Sequence, residues 1–325
     1  MIKSPTRAKP FLKWAGGKTQ LLPKIKEYMP KEVVEGKVIN YVEPFVGSGA
    51  VLFELMQSEE YQFEKAHIWD INPELINVYK VIKSPEVVQL ISHLKVLDEE
   101  YNYNEDKDYR KKIYMRIRSN FNEGIHVLEK NPSMDFRVKR ASEFIFLNRT
   151  CYNGLYRVNK KGEFNVPMGS YKKPKICDES NLLEVHELLK RVVVHDPGDY
   201  RESRSIIDEI LSSGQKVFVY FDPPYRPLNA SSSFTSYSKF DFNEQDQIKL
   251  SVYFKELDKL GAYLMLSNSD PKNINENDDF FDKEHYFKRG ENGENLFHIH
   301  RVHARRNINS KGSKRGKITE LLITN

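Results

Sequence analysis

The sequence predicts an α/β fold: a doubly wound, mostly parallel sheet carrying an inserted, mainly helical domain. Three observations lead there. The chain opens strand, Gly-rich turn, helix, strand, helix between residues 38 and 82. Residues 85–191 then read as helices and loops. Short β-branched and aromatic runs return at 192–195, 217–221 and 262–266, with helical patterns between them.

The elements follow in order. Residues 38–43 form the first expected strand, and the turn from Pro44 to Gly49 leads into a helix over 50–56. Residues 65–70 make a second strand that ends in an acid. Pro73 then starts a helix reaching about Ile82, proline being favoured in a first turn. Inside the insertion, 137–147 has helical apolar spacing, and Asp178 is placed to cap a helix carrying Leu182, Leu183, Val185, Leu188 and Leu189. A helix near 203–211, the central strand 217–221, a helix over 243–260 stopped by Gly261, and the strand 262–266 complete the second half. From Phe297 onward the alternation reads as a hairpin around a basic loop at 309–317. The expected division is residues 1–88 and 192–325 for the sheet domain and 89–191 for the insertion.

Composition narrows the class. The 325 residues suffice for one large domain or two modest ones, and 39% apolar with 30% charged residues is ordinary for a soluble globular chain. No run approaches the length of a membrane span, and residues 1–7 lack the apolar stretch of a secretory signal. Two cysteines, Cys151 and Cys177, make neither a metal cluster nor a disulfide framework, so a reduced, cytoplasmic setting is expected. The net charge of +5 is mild, but it is concentrated. Residues 301–317 carry Arg301, Arg305, Arg306, Lys311, Lys314, Arg315 and Lys317 with no acid, and residues 149–175 carry seven cations against Glu163 alone. These segments read as phosphate-contacting loops, or else as solvated ones. The acidic stretch 273–295 is expected to face solvent. His298, His300 and His303 lack the acids and cysteines of a metal set, so no metal site is expected.

The chemistry concentrates at Asp222-Pro223-Pro224-Tyr225, directly after the central strand. The carboxyl end of a strand is where open α/β sheets bind ligands. Asp222 and the Pro223 carbonyl are two acceptors for the hydrogens of an amino group conjugated to an aromatic ring. Held out of the ring plane, they favour a pyramidal nitrogen and free its lone pair, while Tyr225 offers a stacking face. The bland alternative is a Pro-rich turn after a strand. The Gly47-Ser48-Gly49 turn lets backbone approach a ligand, yet Leu52 stands where a dinucleotide fingerprint has its third glycine. Asp70, 23 residues after Gly47, suits ribose hydroxyls or caps the next helix. A nucleoside cofactor without pyrophosphate, such as S-adenosylmethionine, fits this better than NAD. Lys18, at an expected helix start from Thr19, is placed to hold a carboxylate there, and Trp14 reads as an aromatic wall or as core.

Together these residues resemble the Dam-type (DpnII-like) DNA adenine-N6 methyltransferases. The stretches 11–22, 41–53, 70–72, 148–174, 221–237 and 305–324 carry the resemblance, in the family's order, over more than a quarter of the chain. It implies a Rossmann-like, seven-stranded methyltransferase sheet with 89–191 as the target-recognition domain. It further implies S-adenosylmethionine contacts from Trp14, Lys18, Phe45, Gly47, Ser48, Gly49, Asp70 and Asp222. Asp199 and Tyr200 stand where such enzymes place residues on the cofactor's adenine, although Asp199 also reads as a turn residue after Gly198. Asp222, Pro223, Pro224 and Tyr225 would grip a flipped adenine. Tyr152, Asn153, Leu155, Arg157 and Pro167, with Arg305 and Lys314, would lie at double-stranded DNA. Arg157 suits a guanine edge, Asn153 an adenine edge, and Tyr152 a wedge beside an extruded base. The resemblance implies GATC as target; a monomer is expected, alongside a cognate restriction endonuclease or else in a phage or housekeeping role. The alternatives are methylation of RNA or a protein amide, and a catalytically silent DNA-binding regulator.

Overall fold

The computed structural model describes residues 7–14, 16–227, 242–286, 297–305 and 317–325. Helices α1 (Leu22–Glu27) and α2 (Lys31–Val34) precede β1 (Asn40–Glu43), α3 (Ala50–Met56), β2 (Lys65–Ile68) and α4 (Pro73–Lys83). The insertion supplies α5 (Val87–Asn102), α6 (Lys107–Glu123), α7 (Met134–Thr150) and α8 (Glu179–Leu189). Then come β3 (Val192–Val194), α9 (Arg204–Ser212), β4 (Val217–Phe221), α10 (Glu244–Lys259), β5 (Tyr263–Ser269), β6 (His298–Arg305) and β7 (Lys317–Thr324).

The seven strands lie in the order β3-β2-β1-β4-β5-β7-β6. The first five are mutually parallel, and β7 and β6 close the sheet as an antiparallel pair. Side chains alternate across the sheet as the pleat demands. On β4, Val217, Val219 and Phe221 join the core that packs α9 and α10, whereas Phe218 and Tyr220 join the core under α3, α4 and the insertion. That second core runs without a break from Leu52 and Leu75 to Tyr114, Phe121, Phe146 and Phe164, so the insertion shares its apolar interior with the sheet.

Boundaries shift where polarity misled. Strand β1 starts at Asn40 and β2 stops at Ile68, each shorter than expected. Strand β5 outruns its apolar part and continues through Ser267, Asn268 and Ser269, three buried polar residues. Asp178 does stand at the N-cap of α8, but its side chain makes no cap bond and is taken by Lys175 at 2.6 Å. No helix among the described residues is long and apolar enough to cross a membrane.

Candidate active site

Strand order reverses between β1 and β4, so the loops leaving them diverge and open a crevice at the carboxyl edge of the sheet. A small cavity there is lined by Trp14, Lys18, Glu43, Gly47, Ser48 and Asp222, among others. Asp222 leaves the end of β4 partly buried. Its Oδ1 accepts from Ser267 Oγ at 3.0 Å and lies 2.8 Å from the Lys18 ammonium. Burial pushes the Asp222 carboxyl up, and Lys18 pulls it part of the way back.

The loop after Asp222 is pinned on three sides. From β5, Asn268 Oδ1 accepts the Arg226 N–H at 3.0 Å, and Ser269 Oγ donates to the Arg226 carbonyl at 2.7 Å. From α10, Gln247 Nε2 donates to the Pro224 carbonyl at 2.8 Å, while its Oε1 accepts from Asn268 Nδ2 at 3.0 Å. From β7, Glu320 accepts the Tyr225 hydroxyl at 2.9 Å. The polar end of β5 is therefore the support of the tetrapeptide. Pro223 is buried and Pro224 exposed.

The glycine turn is equally fixed. Gly47 N–H donates to Asp70 Oδ2 at 3.2 Å, and the Tyr79 hydroxyl donates to the Gly47 carbonyl at 3.0 Å. Gly49 has φ 74°, and a Cβ there would stand 2.6 Å from the Tyr79 hydroxyl. Both the backbone angle and the space require glycine. Asp70 also accepts the Asn72 N–H at 2.9 Å, while Asn72 is the residue that caps α4. Burial raises the Asp70 carboxyl to about 6. If the ionised form accepts from a ligand's hydroxyls, binding holds that form in place and lowers its pKa. Affinity should then fall as pH drops through 6, by up to about tenfold per unit, and Asp70→Asn should flatten the dependence. A titration of S-adenosylhomocysteine binding between pH 5 and 8 checks this; a flat profile in the parent chain would reject it.

Trp14 covers the turn from one side, its Cδ1 lying 3.1 Å from where a Gly47 Cβ would stand. Phe45 and Tyr200 stack on each other at 5.3 Å. The loop holding Tyr200 reaches Asp70, whose carbonyl accepts the Gly198 N–H at 3.1 Å. Asp199 itself accepts from the Arg201 N–H and side chain within a capping box, so its carboxylate serves the turn.

In the insertion, bridges between Cys151 and Met168 and between Val158 and Phe164 fold residues 151–168 into a hairpin-like unit. It is anchored on α6, where Asn122 both donates to the Phe164 carbonyl and accepts its N–H. Tyr152, Asn153, Arg157 and Pro167 are exposed along it, and Leu155 is half-buried. Tyr152 is 54% exposed. Asn153 holds φ 56°, the left-handed region, and Arg157 Nε donates to Asn165 at 2.8 Å.

A family model for the D12 class of N6 adenine-specific DNA methyltransferases matches residues 14–308. The chain belongs to this family. Among its relatives, the Type II methyltransferase M.MjaIII of Methanocaldococcus jannaschii is 52% identical over 98% of this chain and 99% of its own length. The Type II methyltransferase M1.LlaDCHI of Lactococcus lactis subsp. cremoris is 38% identical over 99% and 97%. The DNA adenine methylase of Escherichia coli K12 is 33% identical over 96% and 93%. The Dam-type resemblance and the α/β methyltransferase fold are thus borne out, and the chain is a DNA adenine-N6 methyltransferase.

In this D12-class methyltransferase the described structure brings Trp14, Lys18, Gly47, Ser48 and Asp222 to one cavity, with Asp70 and Tyr225 in contact with its walls. Two expectations change. Residues 18–20 form a 3-10 turn and α1 starts only at Leu22, so no helix start faces the cavity at Lys18. The Lys18 ammonium is instead committed to Asp222 and the Gly16 carbonyl and lies 4.5 Å over the Tyr225 ring. In the C-terminal basic segment, Arg301 is paired with Asp270 and Asp282, while Asp278 pairs with Arg226. The described part of the acidic stretch, residues 273–286, therefore pairs its Asp278, Asp279 and Asp282 with nearby cations instead of standing apart in solvent; residues 287–295 lie outside the described residues. Arg305 ends β6, and Lys314 lies outside the described residues. His300 stacks on Tyr28 at 3.9 Å, and no metal-holding group exists among the described residues.

Sequence reasoning missed Glu43 and Ser267. Glu43 ends β1 in the cavity wall, 2% exposed, accepting from the Tyr41 hydroxyl at 2.8 Å, with its carboxyl pushed well up by burial. A polar residue at the carboxyl end of each central strand was the signal available for both.

Proposed function

We propose that the chain methylates N6 of a flipped adenine in double-stranded DNA, within GATC, using S-adenosylmethionine. The observation that carries this is the cavity at the β1/β4 switch point that joins Gly47 and Ser48 of the glycine turn to Lys18 and Asp222, with Tyr225 under the Lys18 ammonium. The residues fit the donor: close backbone at the turn, a half-buried carboxylate at Asp70, and an aromatic wall from Trp14. Bound there, S-adenosylmethionine supplies an electrophilic methyl group on a sulfonium.

The chain's own residues do the rest. Asp222 and the Pro223 carbonyl accept the amino hydrogens and turn the nitrogen lone pair out of conjugation. Tyr225 stacks on the extruded base, which offsets the few kcal/mol that flipping costs. The rigid loop after Asp222 holds this geometry in advance, so positioning supplies much of the acceleration. Residues 89–191 act as the target-recognition domain, and the exposed row from Tyr152 to Pro167 reads the site. Arg157→Ala is expected to cost about 1–3 kcal/mol of discrimination at one base pair. Competition between duplexes differing at single positions measures it, and unchanged selectivity removes Arg157 from the readout. Arg305 and Lys314 are assigned to the DNA backbone. The chain acts as a monomer, and the Type II names of two relatives support a cognate restriction endonuclease as companion. RNA, protein amides and a silent regulator give way to the family assignment.

The test is direct. Purified chain is given methyl-labelled S-adenosylmethionine and duplexes with or without GATC. Label on adenine in GATC alone is expected. Label at another adenine-containing site would replace the target, and unlabelled DNA throughout would end the proposal.

A further inference from the structure

We propose that Asn148 is a positioning residue that makes seating of the recognition hairpin on DNA and occupation of the donor site depend on one another. The link runs through the N-terminal segment that carries Lys13, Trp14 and Lys18, and the inference rests on the reading of hairpin and cavity given above.

Asn148, in the last turn of α7, is 2% exposed. Its Oδ1 accepts the Lys13 N–H at 2.8 Å, and its Nδ2 donates to the Lys13 carbonyl at 2.8 Å and the Gly154 carbonyl at 2.9 Å. One planar amide thus holds both backbone groups of Lys13 and the base of the hairpin in a single geometry. No slack exists beside it: a Cβ on Gly154 would stand 2.4 Å from the Lys13 side chain. Next to Lys13, Trp14 stacks on Tyr156 of the hairpin at 5.9 Å and 16°. It also touches the Gly47 turn and lies 6.4 Å from the Phe144 ring of α7. The same segment ends at Lys18, whose ammonium grips Asp222 at 2.8 Å and overlies Tyr225.

From Gly154 and Tyr156 to Gly47 and Asp222 the contacts are continuous. Closely packed groups transmit displacement instead of absorbing it. A shift of the hairpin therefore has to move Lys13 and Trp14, and with them the wall of the donor cavity. A misplacement of about 1 Å at the reacting groups costs on the order of a hundredfold in rate. Coupling of this kind is reciprocal, so donor-site occupation must tighten DNA binding by the factor with which DNA tightens the donor site.

The experiment titrates S-adenosylhomocysteine, which cannot react, into the full chain with and without a GATC duplex. The parent chain should bind it roughly 5–100-fold more tightly when the duplex is present. Asn148→Ala and Tyr156→Leu should each bring that factor close to one, while affinities for S-adenosylhomocysteine alone and for duplex alone stay near the parent's. Single-turnover methylation should then lose kcat more than KM. If both variants keep the parent's factor, the inference is overturned. A uniform loss of both affinities with the factor intact marks a merely structural role and overturns it as well. Should Asn148→Ala fail to fold, as judged by thermal melting, Tyr156→Leu decides alone. A parent chain that methylates GATC but shows no coupling sinks only this inference, whereas one that neither binds the ligand nor methylates sinks the functional reading beneath it too.

Discussion

Asp222→Ala is expected to remove methyl transfer while leaving duplex binding close to that of the parent. The carboxylate sits at the end of β4, held by Ser267 and Lys18, and neither of these partners belongs to the 151–168 hairpin. Losing one preorganised polar group aimed at the reacting atoms typically lowers the rate by about 10²–10³-fold. The loss here should be at the upper end or beyond, because the substitution also leaves the Lys18 ammonium, 4% exposed, without its carboxylate. Asp222→Asn keeps an acceptor oxygen without the charge and should fall between the two. Single-turnover methylation with saturating duplex gives the rate, and band shift or fluorescence anisotropy gives the binding. Normal turnover in the alanine variant would refute the assigned role.

Arg140→Ala should have the largest effect on stability. Arg140 of α7 is 2% exposed and forks onto both Glu74 oxygens at 2.7–3.0 Å, donates to the Phe121 carbonyl at 2.6 Å and lies over the Phe121 ring. Glu74 belongs to α4, which begins just beyond Asp70, so the pair fastens the insertion to the helix that follows Asp70. Removing one partner of a buried pair leaves the other charge uncompensated and costs about 3–5 kcal/mol. Burial already raises the Glu74 carboxyl, with Arg140 pulling against it. Without Arg140 the folded-state pKa must climb further above its unfolded value. The penalty is then fully present above that raised pKa and is relieved as Glu74 protonates on acidification. The stability gap between variant and parent should therefore narrow toward acid pH in denaturant titrations. A gap that does not change with pH would mean that lost packing, not the stranded carboxylate, sets the cost.

Much of the architecture was legible in the chain itself. The unbroken apolar run at 217–221 named the central strand, and the pleat then sent Val217, Val219 and Phe221 to one core and Phe218 and Tyr220 to the other. The Pro73 start of α4 and the Gly261 stop of α10 were legible because propensity and capping act over a few adjacent residues. The end of β5 was not, since Ser267, Asn268 and Ser269 look like a loop until the Asp222 loop arrives to satisfy them. Asp178 shows the converse: its position is that of a cap, yet nearby Lys175 competes for its carboxylate and takes it.

By itself the sequence determined which segments become strands and helices, and it set the Gly47–Gly49 turn, Asp70 and Asp222 at strand ends. Those outcomes follow from side-chain volume, polarity and backbone freedom at short spacing. Only the tertiary structure decided that Lys18 would sit on Asp222, that Glu43 would share their cavity, and that Asn148 would tie Lys13 to Gly154. Hydrogen bonds form only within about 3 Å and charge pairs weaken quickly beyond a few more. Which distant residues meet at that range depends on how strand order reverses at β1/β4 and on how the insertion packs, and no local pattern encodes either.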